Sequence, residues 1–217
     1  GIRDKLVTGV QTCALPILTL TQIGALNVTQ FNGLTAPTLG AISTTQLSGL
    51  TATVLDKLST TSFSALSSTQ LGSMTTTQLR ALNASDFTVI TAGQISALTT
   101  TQLGSLTSTQ GSNIDTTALA ALTTIQLSGF VATQISALTT TQLNALPASD
   151  IASLTTTQFS AFSTTQLASL DTIRFGALTA TQLGILTVAQ LDAITTTDIA
   201  TMSTTQVTGL EIGRAHV

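Results

Sequence analysis

The stretch Leu138-Thr139-Thr140-Thr141-Gln142-Leu143-Asn144-Ala145-Leu146 decides how this chain folds. Its apolar residues are spaced by five and then by three. The three-residue step puts Leu143 and Leu146 on one face of a helix. The Thr-Thr-Thr-Gln in front of them is a capping box. In such a box the first Thr hydroxyl accepts from the third helical amide, and the Gln reaches back to the amide of the cap. Leucines on either side of the box match a hydrophobic staple. These nine residues read as one short helix that carries its own start signal.

The same pattern runs from 18 to 210. Gln falls at 22, 30, 46, 70, 78, 94, 102, 110, 126, 134, 142, 158, 166, 182, 190 and 206, and every gap is a multiple of eight. The residue after each of these slots is apolar, with Gly111 the exception, and the fourth residue after it is apolar from Leu26 to Leu210. Asp86, Asp150 and Asp198 take the Gln slot, where a negative side chain suits a helix N-terminus. A fixed period of this kind is the signature of stacked repeats. One continuous helix is excluded. Eight residues make ~2.2 turns, so the apolar stripe would drift by ~80° per octad. The helix must restart in every octad.

The small residues add a second period. Two positions after the slot, one set of octads carries Gly24, Gly40, Gly72, Gly104, Ala120, Ala152, Ala168, Gly184 and Ala200. The alternate set carries Asn32, Ser48, Ser64, Ser96, Ser112, Ser128, Asn144 and Ser160 there, and Gly or Ala one position later, as at Gly33, Gly49, Ala65, Ala81 and Ala97. In the first set that later position varies through Lys57, Val89, Ile185 and Thr201. The repeat unit is therefore two inequivalent octads, or sixteen residues. The expected fold is an all-α solenoid of short capped helices, with two octads per coil and about twelve coils between 18 and 210. The alternative is a β-solenoid, since Thr favours strands; against it, spacings of three and five break the period of two that a strand needs. Twelve helical layers at ~8–10 Å would span roughly 100 Å, and twelve β-coils at ~4.8 Å roughly 60 Å.

The two ends do not fit the array. Gln11 to Ile17 can be encoded CAG ACG TGT GCT CTT CCG ATC, and Ile212 to Val217 ATC GGA AGA GCA CAC GTC. The second string is the reverse complement of a stretch within the first. Val7 to Ile17 (VTGVQTCALPI) resembles a translated sequencing-library adapter, as do Gly1 to Asp4 and the last residues. On that resemblance 1–17 and 211–217 are adapter-derived scars and 18–210 is a fragment of a longer array. The alternative for the front end is a signal peptide over the apolar residues from Ala14 to Leu20.

The 217 residues carry a formal charge of −3, with 7% charged, 3% aromatic and 42% hydrophobic residues. That is too apolar for a disordered chain, and without a positive excess it lacks the footprint of nucleic-acid binding. No apolar run approaches the ~18 residues that span a bilayer; Cys13 to Leu18 is short and broken by Pro16. Within 18–210 there is no Cys, His or Glu; the basic residues are Lys57, Arg80 and Arg174, and the acids are Asp56, Asp86, Asp115, Asp150, Asp171, Asp192 and Asp198. No acid–base, nucleophilic or metal constellation can be assembled from that set. No catalytic, cofactor-binding or metal residue is expected, and the chain reads as no enzyme. Asp56-Lys57 and Asp171 with Arg174 read as solvated pairs. The irregular octad Gly111-Ser112-Asn113-Ile114-Asp115 reads as a degenerate repeat, with a bend or ligand site as the alternative.

The run at 138–146 resembles octapeptide arrays of large bacterial surface and adhesin-like proteins, and the likeness extends over 18–210. It implies a secreted or cell-surface rod that spaces other domains, with ligands held by those domains and nothing catalytic to carry over. Two other readings stay open. Stacked Thr triplets would form a hydroxyl array suited to a binding surface such as ice. A spurious reading frame of repetitive DNA is the third. The exchange of Leu, Ile, Phe and Met at one slot with polarity kept argues for a coding frame.

Overall fold

Each octad begins with a residue that is extended while its neighbour is already helical. Thr75 (φ −69°, ψ 158°) accepts from the amide of Gln78 at 3.2 Å and donates its own amide to Gln78 Oε1 at 3.1 Å. The reciprocal pair that the sequence proposes is therefore made, and it recurs at Thr99, Thr139, Thr155 and Ser163. Five or six residues later the chain returns to extended backbone at the next apolar position. Leu106 (φ −60°, ψ 148°) is an example, its amide held by the Leu103 carbonyl at 3.2 Å. Among the described residues no residue has a positive φ, glycine included. The corners are made by two extended residues, a Leu and a cap, and need no left-handed turn.

This computed structural model describes residues 18–214. Its elements are short helices that begin every eight residues from Leu20 to Thr204, most of them four to six residues long; Ala84–Thr88 is a 3-10 turn. The described residues contain no strand. The fold is thus an all-helical solenoid of short capped helices. Residues 1–17 and 215–217, where most of the adapter-like sequence lies, fall outside the described part. The last helix, Thr204–Arg214, is longer, at eleven residues. It runs on where the period would place the next cap, and Glu211 stands there instead of Thr or Ser. A helix with no cap to restart it simply continues.

The coil is not the expected pair of octads. Helices pack on the helix three octads away: Ala92–Ser96 lies against Ser68–Gly72 on one side and Thr116–Ala120 on the other. One coil is therefore three octads, or 24 residues, and the described chain makes eight coils with a triangular course. The sixteen-residue period is real, but it governs how coils meet. Three is odd, so each octad always stacks on one of the other kind. At several junctions where a Gly-type octad lies under a Ser-type one, though not at Gly40, the backbones nearly touch. A Cβ on Gly72 would lie 2.8 Å from the Ala97 carbonyl oxygen, and one on Gly24 2.7 Å from that of Gly49. Where the order is reversed, two asparagines bridge the coils, whereas serines such as Ser64 and Ser160 bond back to their own helix. Asn32 donates to the Lys57 carbonyl at 2.7 Å and accepts from the Ser59 amide at 2.9 Å. Asn144 does the same with Ser169 (2.6 Å) and Asp171 (2.9 Å).

The apolar residue after the slot is buried from Ile23 to Leu183, as at Leu71, Leu103 and Ile151, while Ile199 and Val207 in the last coil are exposed. Burying such a side chain contributes ~1.5–3 kcal/mol. Phe63 and Phe87, one coil apart, stack with ring centroids at 6.1 Å. The octad with Gly111 keeps its helix, Ser108–Ser112, and the Phe130 ring lies 3.9 Å from where a Gly111 side chain would begin, occupying the space a Leu would fill.

The stacking makes a test. Gly72→Ala should lower stability by about 1–3 kcal/mol through overpacking. Gly40→Ala, at the same octad position but with no atom within 4 Å of its Cβ, should be neutral or raise it by about 0.5–1 kcal/mol. Denaturant titration followed by circular dichroism reads both, and equal losses would contradict the 24-residue stacking.

Candidate functional site

The most heavily used side chain in this molecule is the Gln of the capping box. Its Oε1 is taken by the amide of its own cap. Its Nε2 carries two further protons, and the three-octad coil places the carbonyls of the preceding coil beside them. Gln110 Nε2 donates to the Leu79 and Leu82 carbonyls at 2.9 and 2.8 Å. Gln142 reaches Gly111 and Ile114 at 3.2 and 2.7 Å, and Gln134 reaches Leu103 and Leu106 at 2.9 and 2.7 Å. These acceptors lie at the end of a helix, where carbonyls lack intrahelical partners. Every Gln slot from Gln46 to Gln206 bonds to the coil before it, and most of these side chains are buried. One amide thus caps its own helix and closes the end of a helix in the next layer.

Sequence reasoning assigns this Gln only to the cap. The signal for its second role is the absence of Glu from 18–210. A capping box accepts Glu as readily as Gln, but a carboxylate has no proton for the two carbonyls. Arg174 supports this reading. It stands in a slot, and its Nε donates to the Leu146 carbonyl at 2.9 Å while its guanidinium pairs with Asp171 at 2.7 Å. This pair is therefore built into a coil junction, whereas Asp56 and Lys57 form an exposed pair at 2.9 Å.

Eight slots hold a residue other than Gln (Thr38, Val54, Ser62, Asp86, Ala118, Asp150, Arg174 and Asp198), and at two of them a buried oxygen is left without a partner. Asp86 is fully buried; its Oδ2 accepts from the Asn83 amide at 3.0 Å and its Oδ1 has no partner. Burial pushes its pKa up to about 6, against the lowering effect of the Asn83 amide and with a further upward push from Asp56. Asp150 is buried behind Pro147, which has no amide to offer as a cap, and its Oδ2 is likewise unpartnered. Burial raises its pKa as well. A protonated carboxyl supplies the O–H donor that the site asks for and an ionised one does not. A raised folded-state pKa means that stability is fully present at low pH and lost as pH rises through the folded pKa. For Asp86 that window runs from about 4 to about 6. Asp115, an exposed cap, is the opposite case. The Thr117 amide lowers its pKa, so its smaller contribution fades as pH falls below the ordinary carboxylate range.

Among the described residues no group of three His, Cys, Asp or Glu could hold a metal ion, and no helix is long and apolar enough to cross a membrane.

No family model and no curated protein sequence matches the chain. Among solved structures it is similar to the leucine-rich repeat-containing protein LegL7 from Legionella pneumophila, at 15% identity over 85% of this chain and 69% of that one. The TM-score is 0.25, so the likeness carries no argument about fold or function.

Two outcomes test the ladder. Gln142→Ala should cost about 2–5 kcal/mol because it leaves an amide and two carbonyls unpaired. Gln30→Ala, in the first described coil, should cost only about 0.5–1.5 kcal/mol, the value of one cap bond. Separately, the melting temperature should fall as pH is raised from 4 to 7. Asp86→Gln should remove much of that fall, stabilising the protein at pH 8 by on the order of 1–3 kcal/mol and changing little at pH 4. A melting temperature that rises over this interval in the parent protein would contradict the assignment.

Proposed function

We propose that this chain is a structural spacer: a stalk segment of a secreted or cell-surface adhesin-like protein that holds other domains apart and performs no catalysis. The observation that carries the reading is the recurring ladder, with at least one Gln in every coil. Each coil bonds only to its neighbours, by the same Gln amide and the same apolar positions, so the array extends in one dimension and adds length with each repeat. Its buried residues serve stacking. The exposed Thr and Ser hydroxyls keep the surface hydrated with few charges. The resemblance of the Leu-Thr-Thr-Thr-Gln pattern to bacterial surface arrays supports the location.

Eight layers at ~8–10 Å give a rod of roughly 65–80 Å, shorter than twelve coils would be. Small-angle scattering on the protein, and on a version with the segment from 44 to 187 duplicated, should show length growing by about six layers at constant cross-section. A compact particle would overturn the spacer reading. Surface biotinylation of intact source cells tests location; labelling of the parent protein only after lysis would overturn it.

A second reading has one specific observation in its favour. Thr116 and Thr117, Thr140 and Thr141, and Thr164 and Thr165 open three helices stacked one coil apart. Their side chains form a column of paired hydroxyls on one face, ended by Ala92-Gly93 before it and by Val188-Ala189 after it. Ice is the ligand such a lattice would suit. Thermal hysteresis at high protein concentration supports this reading, and its absence ends it.

A further inference from the structure

Asparagine occurs at five positions in the sequence, 27, 32, 83, 113 and 144. Two of them open the pattern Asn-x-Ser/Thr with x other than Pro: Asn27-Val28-Thr29 and Asn83-Ala84-Ser85. That pattern is the acceptor sequence for N-linked sugar. Its place in the array has a simple cause. Both asparagines stand at the first position of a capping box, and most octads carry Thr or Ser two positions later. An Asn at the cap therefore completes the acceptor pattern.

The structure divides the same five residues in the same way. Asn32 donates from Nδ2 to the Lys57 carbonyl at 2.7 Å, Asn113 to the Thr109 carbonyl at 2.8 Å and Asn144 to the Ser169 carbonyl at 2.6 Å. In these three the nitrogen that would carry a sugar is already in use, twice within a coil junction. Asn27 and Asn83 are exposed and work only through the amide oxygen. Asn27 Oδ1 accepts from the Gln30 amide at 2.9 Å. Asn83 Oδ1 accepts from the Ser85 amide at 3.0 Å and from the Ser85 hydroxyl at 2.9 Å. Among the described residues neither Nδ2 has a hydrogen-bond partner.

We propose that Asn27 and Asn83 are attachment sites for N-linked sugar, taken from a donor whose C1 is bonded to a diphosphate. In the transfer a bond forms between Asn Nδ2 and C1 of the sugar. The bond from C1 to the diphosphate oxygen breaks, the diphosphate leaves with the electron pair, and Nδ2 gives up one proton. The product is still an amide with its carbonyl oxygen unchanged, so each residue goes on capping its helix. Modification costs the fold no hydrogen bond, and it adds hydrated bulk to a surface that holds few charges. The inference rests on the reading of the chain as an exported protein. The diphosphate can be borne by a lipid in a secretory lumen or by a nucleoside in the cytosol, and the chemistry at Nδ2 is the same.

The full chain tests this in two settings: behind a supplied secretion leader in cells with lumenal N-glycosylation, and in a bacterial cytosol with a soluble N-glycosyltransferase and its nucleotide sugar. Because the leader is supplied, the result does not depend on where the parent protein resides, and surface labelling of source cells can fail without affecting it. Intact mass should show two added glycans in at least one setting. Labelling only in the lumen identifies the lipid-borne donor, and labelling only in the cytosol the nucleotide sugar. Peptide N-glycosidase should convert Asn27 and Asn83 to Asp and leave the other three asparagines unchanged. Thr29→Ala and Ser85→Ala should each remove one glycan with an unchanged circular dichroism spectrum, and the glycosylated protein should melt no lower than the unmodified one. Absence of sugar in both settings overturns the proposal. So does sugar on Asn32, Asn113 or Asn144, or a melting temperature that the sugar lowers. Sugar at one sequon alone overturns the assignment of the other.

Discussion

A side-chain amide has one acceptor oxygen and two donor protons, and the fold depends on all three being used. In Gln110 the oxygen takes the amide of Thr107 at 2.8 Å, and the nitrogen serves two carbonyls of the preceding coil. Helices of about five residues do not hold themselves together in water, because nucleation is costly and few bonds follow it. Each must receive its missing partners from outside. The Gln supplies them at both ends of the problem, to the open amide of its own helix and to the open carbonyls of another. In the octads that carry Gln, capping and stacking therefore share one side chain.

The distance between coils follows from which small residues meet. A junction of Gly72 type brings backbone to backbone, where even a methyl would clash. A junction of Asn32 type leaves room that a polar side chain fills with two hydrogen bonds. Since a coil holds an odd number of octads and the octads alternate, the two kinds of junction alternate along each face of the prism. Two departures from the pattern are compensated nearby. Phe130 lies over the gap at Gly111, and Arg174 delivers with its guanidinium the donor that Gln gives elsewhere. Asp86 and Asp150 are not compensated, since each leaves a buried oxygen without a partner.

An array built this way has a direction. The Gln amide donors of each coil face the coil before it, and the carbonyls they reach face the coil after.

Much of this was legible in the sequence. Thr139 and Gln142 are three residues apart, and that spacing alone dictates a capped start, because the cap bonds are local and depend on nothing else in the fold. The apolar positions at one and four after the slot name the core, since a short helix has only one face to bury. The number of octads per coil was not legible. It is set by the turn that two extended residues make at each corner, and leucines such as Leu106 and Leu146 carry no local signal for that angle. The sixteen-residue period suggested a coil of two octads, because a repeat in sequence need not equal a repeat in space when neighbours stack three apart. The second role of Gln142 was hidden for the same reason. Its partners, Gly111 and Ile114, lie 31 and 28 residues earlier, and only the closed coil brings them within reach of the amide.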